Sequence, residues 1–235
     1  MKILKTDKRL VDEGYRYKID GDLMSVECID LTDLDKPIYV TGFIKAGGFI
    51  KAGGFIEAGE SIEAGGFIKA GWSIKAGKSI EAGWSIKAGE SITAGWSIVA
   101  NEFIKAGGSI TAGKSIKAGG SITAGWSIVA NEFIKAGGSI TAGKSIEAGG
   151  FITAGESHGI AAGLYITANT TITAGLKIFA GVCTWRKISD EDKTITCTEL
   201  NGGATVEYGI LNIIEEAESS SDKIITLNGK KYKLI

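Results

Sequence analysis

Few side chains in this sequence could do acid–base, redox or metal chemistry. His158 is the single histidine, and the three cysteines are Cys28, Cys183 and Cys197. An imidazole titrates near neutral pH, so His158, set between Ser157 and Gly159, has the chemistry of a general base. One histidine excludes a three-histidine zinc centre. The cysteines lack metal-type spacing and no Cys-x-x-Cys occurs, which favours buried thiols over a redox pair at Cys183 and Cys197. The Gly-x-x-x-x-Gly spacings lead into no Gly-Lys-Ser/Thr between a strand and a helix, so none is a phosphate loop. No metal and no cofactor is implied.

Charge narrows the partners. The formal net charge is −1, and residues 38–183 hold 12 basic against 9 acidic residues between two ends that are each slightly acidic. Nucleic acid is therefore not indicated. The segment MKILKTDKRL has no apolar run and no stretch of eighteen apolar residues follows, so the expectation is a soluble, cytoplasmic protein with no membrane segment.

The elements that must carry these residues follow from a repeat. Isoleucine recurs every six residues from Ile38 to Ile152, the phase slips by two at His158 and Gly159, and the series resumes at Ile160, Ile166, Ile172 and Ile178, giving 24 hexads. The regular form is I-x-A-G-x-S/F. In an extended segment Ile and Ala face one way and the residue between them, such as Lys75, Glu81, Thr93 or Val99, faces the other. Three residues of strand and a three-residue bend suit a coil whose wall turns at every hexad. After the first hexad the Gly slot otherwise admits only Asn101, Asn131 and Asn169, which are read as turn residues. Glycine and asparagine both tolerate the left-handed backbone region, so positive φ is the expected reason.

This pattern resembles the hexapeptide-repeat family of parallel β-helices, whose prism-shaped coils have three six-residue sides. The resemblance covers residues 38–183 and implies an all-β, triangular β-solenoid of about eight coils, roughly 38 Å long at about 4.8 Å per coil. Left-handed winding comes from the resemblance alone, and a right-handed solenoid similar to bactofilins is the alternative. In acyltransferases of the family a histidine near a coil junction activates an acceptor hydroxyl or amine. That makes His158 the one catalytic candidate here, although the family's long excursion loops are missing.

Outside the array, residues 1–37 suggest a short hairpin around Gly21-Asp22 that caps one end. Residues 184–235 suggest a small antiparallel cap or oligomerisation element, with Asn228-Gly229 as a two-residue hairpin turn and 215–222 as a solvated loop.

The outer surface carries the candidate partner-binding residues. Trp72, Trp84, Trp96 and Trp126 occupy the second variable slot, with Phe103 and Phe133 beside them. Lys78 and Lys114 lie one coil to either side of Trp96, so local cation–π packing competes with partner binding as the reason for that residue. Residues 91–120 and 121–150 differ only at Lys117 and Glu147, and five hexads are not a multiple of three. The second copy must therefore be turned by one face. Thr93 and Thr111 then stack on a different face from Thr123 and Thr141, which disfavours a flat ice-binding face.

These features favour a non-enzymatic solenoid that binds another protein. The repeat also resembles repetitive proteins of bacteriophages and other mobile elements, which implies an inhibitor of a host complex, for instance a bacterial defence complex. The alternatives are a self-assembling protein similar to bactofilins and an acyltransferase using His158. A homodimer or trimer fits the β-rich tail.

Overall fold

The computed structural model describes residues 1–3, 5–184 and 186–215, with the backbone of two further strands, Ile224–Leu227 and Lys230–Lys233. From Ile44 to Ala148 each hexad contributes one three-residue strand, Ile to Ala, with both ends buried and the middle residue turned outward. Every array isoleucine from Ile44 to Ile178 is fully buried. Burial of each contributes about 1.5 to 3 kcal/mol before the ordering of the backbone is counted.

Strands eighteen residues apart pair in parallel and in register, so Ile68 lies between Ile50 and Ile86. Three sheets result, which we call faces I, II and III, with 10, 12 and 10 strands. Face I contains Ile50–Ala52 and Ile68–Ala70, face II Ile56–Ala58 and Ile74–Ala76, and face III Ile44–Ala46 and Ile62–Ala64. The bends are bonded as regularly as the strands. Gly65 N donates to Ala46 O at 3.0 Å, and Lys78 N to Glu60 O at 3.0 Å, so each corner is a ladder of its own. No buried side-chain nitrogen or oxygen among the described residues lacks a hydrogen-bond partner.

The solenoid is longer than eight coils, at about eleven, and it runs past both expected boundaries. Residues 17–31 are not a hairpin around Gly21-Asp22. Tyr17–Ile19, Leu23–Ser25 and Ile29–Leu31 pair in parallel with Ile38–Val40, Ile44–Ala46 and Ile50–Ala52. The partners are twenty-one residues apart there, because residues 32–37 add three residues at a corner, where Leu34 is buried. The antiparallel element at this end is smaller, pairing Val11–Asp12 with Tyr17 and Lys18.

At the other end, residues 194–213 are likewise solenoid and not an antiparallel cap. Thr194–Cys197, Glu199–Asn201, Thr205–Tyr208 and Ile210–Ile213 add parallel strands to the three faces. Ile166 pairs with Ile195, so the additional chain between them leaves the wall as an excursion holding a short 3-10 turn, Glu191–Lys193. At this end, among the described residues, antiparallel pairing is confined to Ile224–Leu227 with Lys230–Lys233; the expected turn at 228 and 229 lies outside the described residues. The proposed loop at 215–222 lies outside the described residues apart from Glu215. Among the described residues no helix is long and apolar enough to cross a membrane.

The reason for the Gly slot also differs from expectation. Of the array glycines in it, only Gly181 has a positive φ, +83°. Most of the others are required by the approach of neighbouring coils, although Gly53, with Thr32 O 3.6 Å from its Cβ position, is not. A Cβ on Gly71 would stand 1.9 Å from Gly53 O, and one on Gly113 1.9 Å from Gly95 O. Asn101 and Asn169 occupy the same slot with their amides 3.3 Å from the carbonyl of the coil below, close to the 3.2 Å of Gly89 and Gly107.

Candidate functional site

With three hexads per coil, every third bend falls on the same corner. Trp72 and Trp126 occupy the corner between faces I and II, Trp96 that between II and III, and Trp84 that between III and I. All four are about half exposed, from 49% at Trp96 to 58% at Trp84 and Trp126. The tryptophans therefore form no single aromatic face.

Their surroundings separate them. Trp96 stands between Lys78 and Lys114, whose ammonium groups lie 5.9 and 5.3 Å from its ring centre. Trp126 has Lys144 at 5.0 Å on one side. Both have a local packing role. Among the described residues, Trp72 and Trp84 have no such cation.

Phe103 and Phe133, equivalent by sequence, are separated by the one-face rotation. Phe133 is half-buried on the II/III corner and stacks on Phe151 with ring centres 4.9 Å apart. Phe103, 41% exposed, lies on the III/I corner with Trp84. Asn101, Asn131 and Asn169 sit in bends, as expected of turn residues. Glu102 and Glu132, one residue further on, have a role that spacing alone did not reveal. Each accepts a hydrogen bond from a buried serine one coil back, Ser85 at 2.8 Å and Ser115 at 2.9 Å.

The III/I corner is the most elaborated. Up the solenoid, its last bend position reads Cys28, Phe49, Phe67, Ser85, Phe103. Phe49 and Phe67 stack with centres 5.0 Å apart and planes 1° from parallel. The next rung is Ser85, and above it stands Phe103. The missing ring leaves a notch of about 360 Å³ between Phe67 and Phe103, walled by Trp84 and bordered by Lys69 and Lys87. Below Trp84 a smaller trough of about 280 Å³ continues over Gly66 and Gly48 to Cys28.

Beside this corner, the outward residues of face I form a lysine column. Lys51, Lys69, Lys87 and Lys105 stack in register, with Asp30 at the foot next to Lys51. Hydrogen bonds from the Thr32 hydroxyl and amide hold Asp30 below the usual carboxylate range, and Lys51 and Lys2 add to the effect. None of the four lysines forms a salt bridge among the described residues. Elsewhere opposite charges meet in places, with Lys45 on Glu63 at 3.0 Å and Lys75 on Glu57 at 2.8 Å, although Glu63 also lies in register with Glu81 and Lys117 with Lys135. Like charges directly opposite each other on a sheet repel.

His158 lies away from this corner's notch. Glu156 and Ser157 form the turn that absorbs the two extra residues, and Ile140 still pairs with Ile160. The His158 side chain is exposed, and its ring hydrogen-bonds to no described residue. Cys183 and Cys197 are buried, and burial pushes the Cys197 thiol up, whereas Cys28 is only half-buried. Among the described residues no three potential ligands are grouped around a metal position. Compared with protein families, curated proteins and solved structures, the chain matches none.

Proposed function

We propose that this chain is a protein-binding β-solenoid that acts without catalysis of its own. The observation that carries the reading is the exposure of Trp72, Trp84 and Phe103 at corner positions where the same fold accepts glycine, lysine, glutamate or serine. The hexad does not need these rings, and large aromatics whose exposed faces are desolvated on association dominate many protein interfaces. The lone, unoriented His158 favours this reading over acyl transfer, since a general base is ordinarily held by a partner group. The finer reading, that the partner is a bacterial defence complex inhibited in the host cytoplasm, rests on the resemblance to repetitive phage proteins.

The test compares wild type with a Trp84→Ala/Phe103→Ser double variant of unchanged melting temperature as baits in bacterial lysate. A stoichiometric partner retained by wild type and lost by the variant is expected. Equal recovery by both, or turnover of an acyl donor that disappears in His158→Ala, overturns the reading.

One observation favours self-assembly as a second reading. The last strand of face II, Ile210–Ile213, leaves Ile210, Leu211 and Ile213 exposed at the end of the solenoid. Light scattering over a concentration series separates the cases, with open-ended growth supporting a filament and a fixed dimer or trimer refuting it.

A further inference from the structure

We infer that the notch at Ser85 is the seat of one aromatic side chain from an acidic segment of the partner protein. This rests on the protein-binding reading and specifies the chemistry of what is bound.

The first support is the spacing of the ladder. Phe49 and Phe67 show the natural contact of rings on successive coils, 5.0 Å and parallel. Phe67 and Phe103 are two coils apart, roughly 9.6 Å at about 4.8 Å per coil. One planar ring fits between them at the same separation that Phe49 keeps from Phe67. The floor is already dry, because Ile68 and Ile86 are fully buried and Ser85 is 7% exposed. Ser85 keeps its hydroxyl occupied by Glu102, so that hydroxyl is not left unpaired beneath an incoming ring. Offset or parallel stacking on two rings, with Trp84 as a side wall, selects an aromatic group over an aliphatic one.

The second support is charge. The seat opens beside Lys69 and Lys87, the middle pair of a four-lysine column with no described salt bridge. An aromatic residue flanked by carboxylates would place its ring in the notch and its acids along Lys51, Lys69, Lys87 and Lys105. Mutual repulsion within the column is relieved only by an anion, so the interaction is complementary in sign as well as in shape. Of the acids on this corner and column, Glu102 is tied to Ser85, Asp30 and Glu27 lie at the far foot, and Glu156 stands three coils above Phe103. A single-stranded nucleic acid offers rings and anions too, but it stacks successive bases along several exposed aromatics. The column here has one vacancy, which suits a single side chain on a peptide.

The fold supplies its own blocking substitution. Phenylalanine already occupies the same bend position at Phe49, Phe67, Phe103, Phe133 and Phe151, so Ser85→Phe fills the gap with a residue the coil tolerates. The probe is a synthetic nine-residue peptide with a central phenylalanine between two runs of four glutamates, followed by amide NMR shifts of the full chain. Saturable shifts centred on Ser85 and Lys87 are expected, with at least tenfold weaker binding to Ser85→Phe and to Lys69→Glu/Lys87→Glu. A peptide with alanine at its centre is expected to lose at least tenfold as well. Equal binding by Ser85→Phe, equal binding of a lysine-flanked phenylalanine peptide, or binding of an oligothymidylate in place of the acidic peptide overturns the inference. So does no binding at all. A lysate partner retained by Ser85→Phe and lost by the Trp84→Ala/Phe103→Ser variant would leave the protein-binding reading standing while removing this seat.

Discussion

Ser115 and Glu132 join two successive coils through one hydrogen bond, Oγ to Oε2 at 2.9 Å. Ser85 with Glu102 and, at 3.3 Å, Ser73 with Glu90 repeat the relationship. The serines are buried and the glutamates reach down to them from the exposed corner. A buried hydroxyl deprived of its acceptor bears the full loss of solvation, whereas removal of both partners is nearly neutral. Glu132→Ala is therefore expected to destabilise by about 1 to 3 kcal/mol. Ser115→Ala combined with it should recover most of that loss in denaturant unfolding.

Coil spacing makes a sharper distinction between two glycines on the same corner, one coil apart. Gly71 has Gly53 O 1.9 Å from where a Cβ would stand, whereas the nearest atom to a Cβ on Gly54 is 3.9 Å away. Gly71→Ala is expected to cost about 1 to 3 kcal/mol by forcing two coils apart. Gly54→Ala is expected to be neutral or slightly stabilising, since it restricts the unfolded chain. Paired thermal melts decide this.

The central column tests the core directly. Ile116 is fully buried between Ile98 and Ile134. Ile116→Ala should lower stability by about 2 to 5 kcal/mol, because stacked coils cannot collapse around the missing atoms. A midpoint unchanged in urea would contradict the rigid stacking described above.

Near the N-terminal end, hydrogen bonds from the Arg9 side chain and amide hold the Asp7 carboxyl at about 2, against an ordinary 3.8. A depressed carboxylate binds its proton later in the folded chain than in the unfolded one. Its stabilising contribution is complete above the ordinary value and disappears as the pH falls through about 2. Asp7→Asn should therefore lower local protection of residues 7–10 from hydrogen exchange at neutral pH, and the difference should vanish near that acid limit. The site is exposed to solvent, so salt should weaken the effect.

The six-residue period identified the fold because Ile, Ala and the outward residue each obey it. The same period continues at Tyr17, Leu23 and Ile29, but without Ala or Gly after them, and residues 32–37 break the phase. Those coils are invisible to a search for I-x-A-G. The closing coils space their inward residues unevenly, at Ile195, Leu200, Val206 and Leu211, so periodicity fails there too. The Gly slot was recognised correctly and explained wrongly, since residues without bulk near the backbone satisfy positive φ and close approach alike. The exposed tryptophans were legible as corner residues. The notch was not, because Ser and Phe alternate freely in the hexad and the gap appears only when residues 49, 67, 85 and 103 are placed above one another.

The thirty-residue duplication has a mechanical consequence. Each hexad fills one side of the prism, and any hexad can follow any other, so a slip during replication can add one side, two or five without disturbing the wall. Adding five turns everything beyond the insertion by one face of three relative to everything before it, as Ile98 on face III and its copy Ile128 on face II show. The chain thus resembles a combination lock: changes of length dial the upper half against the lower half in steps of a third of a revolution. A descendant one repeat longer or shorter would keep its fold and present a new arrangement of the same corners.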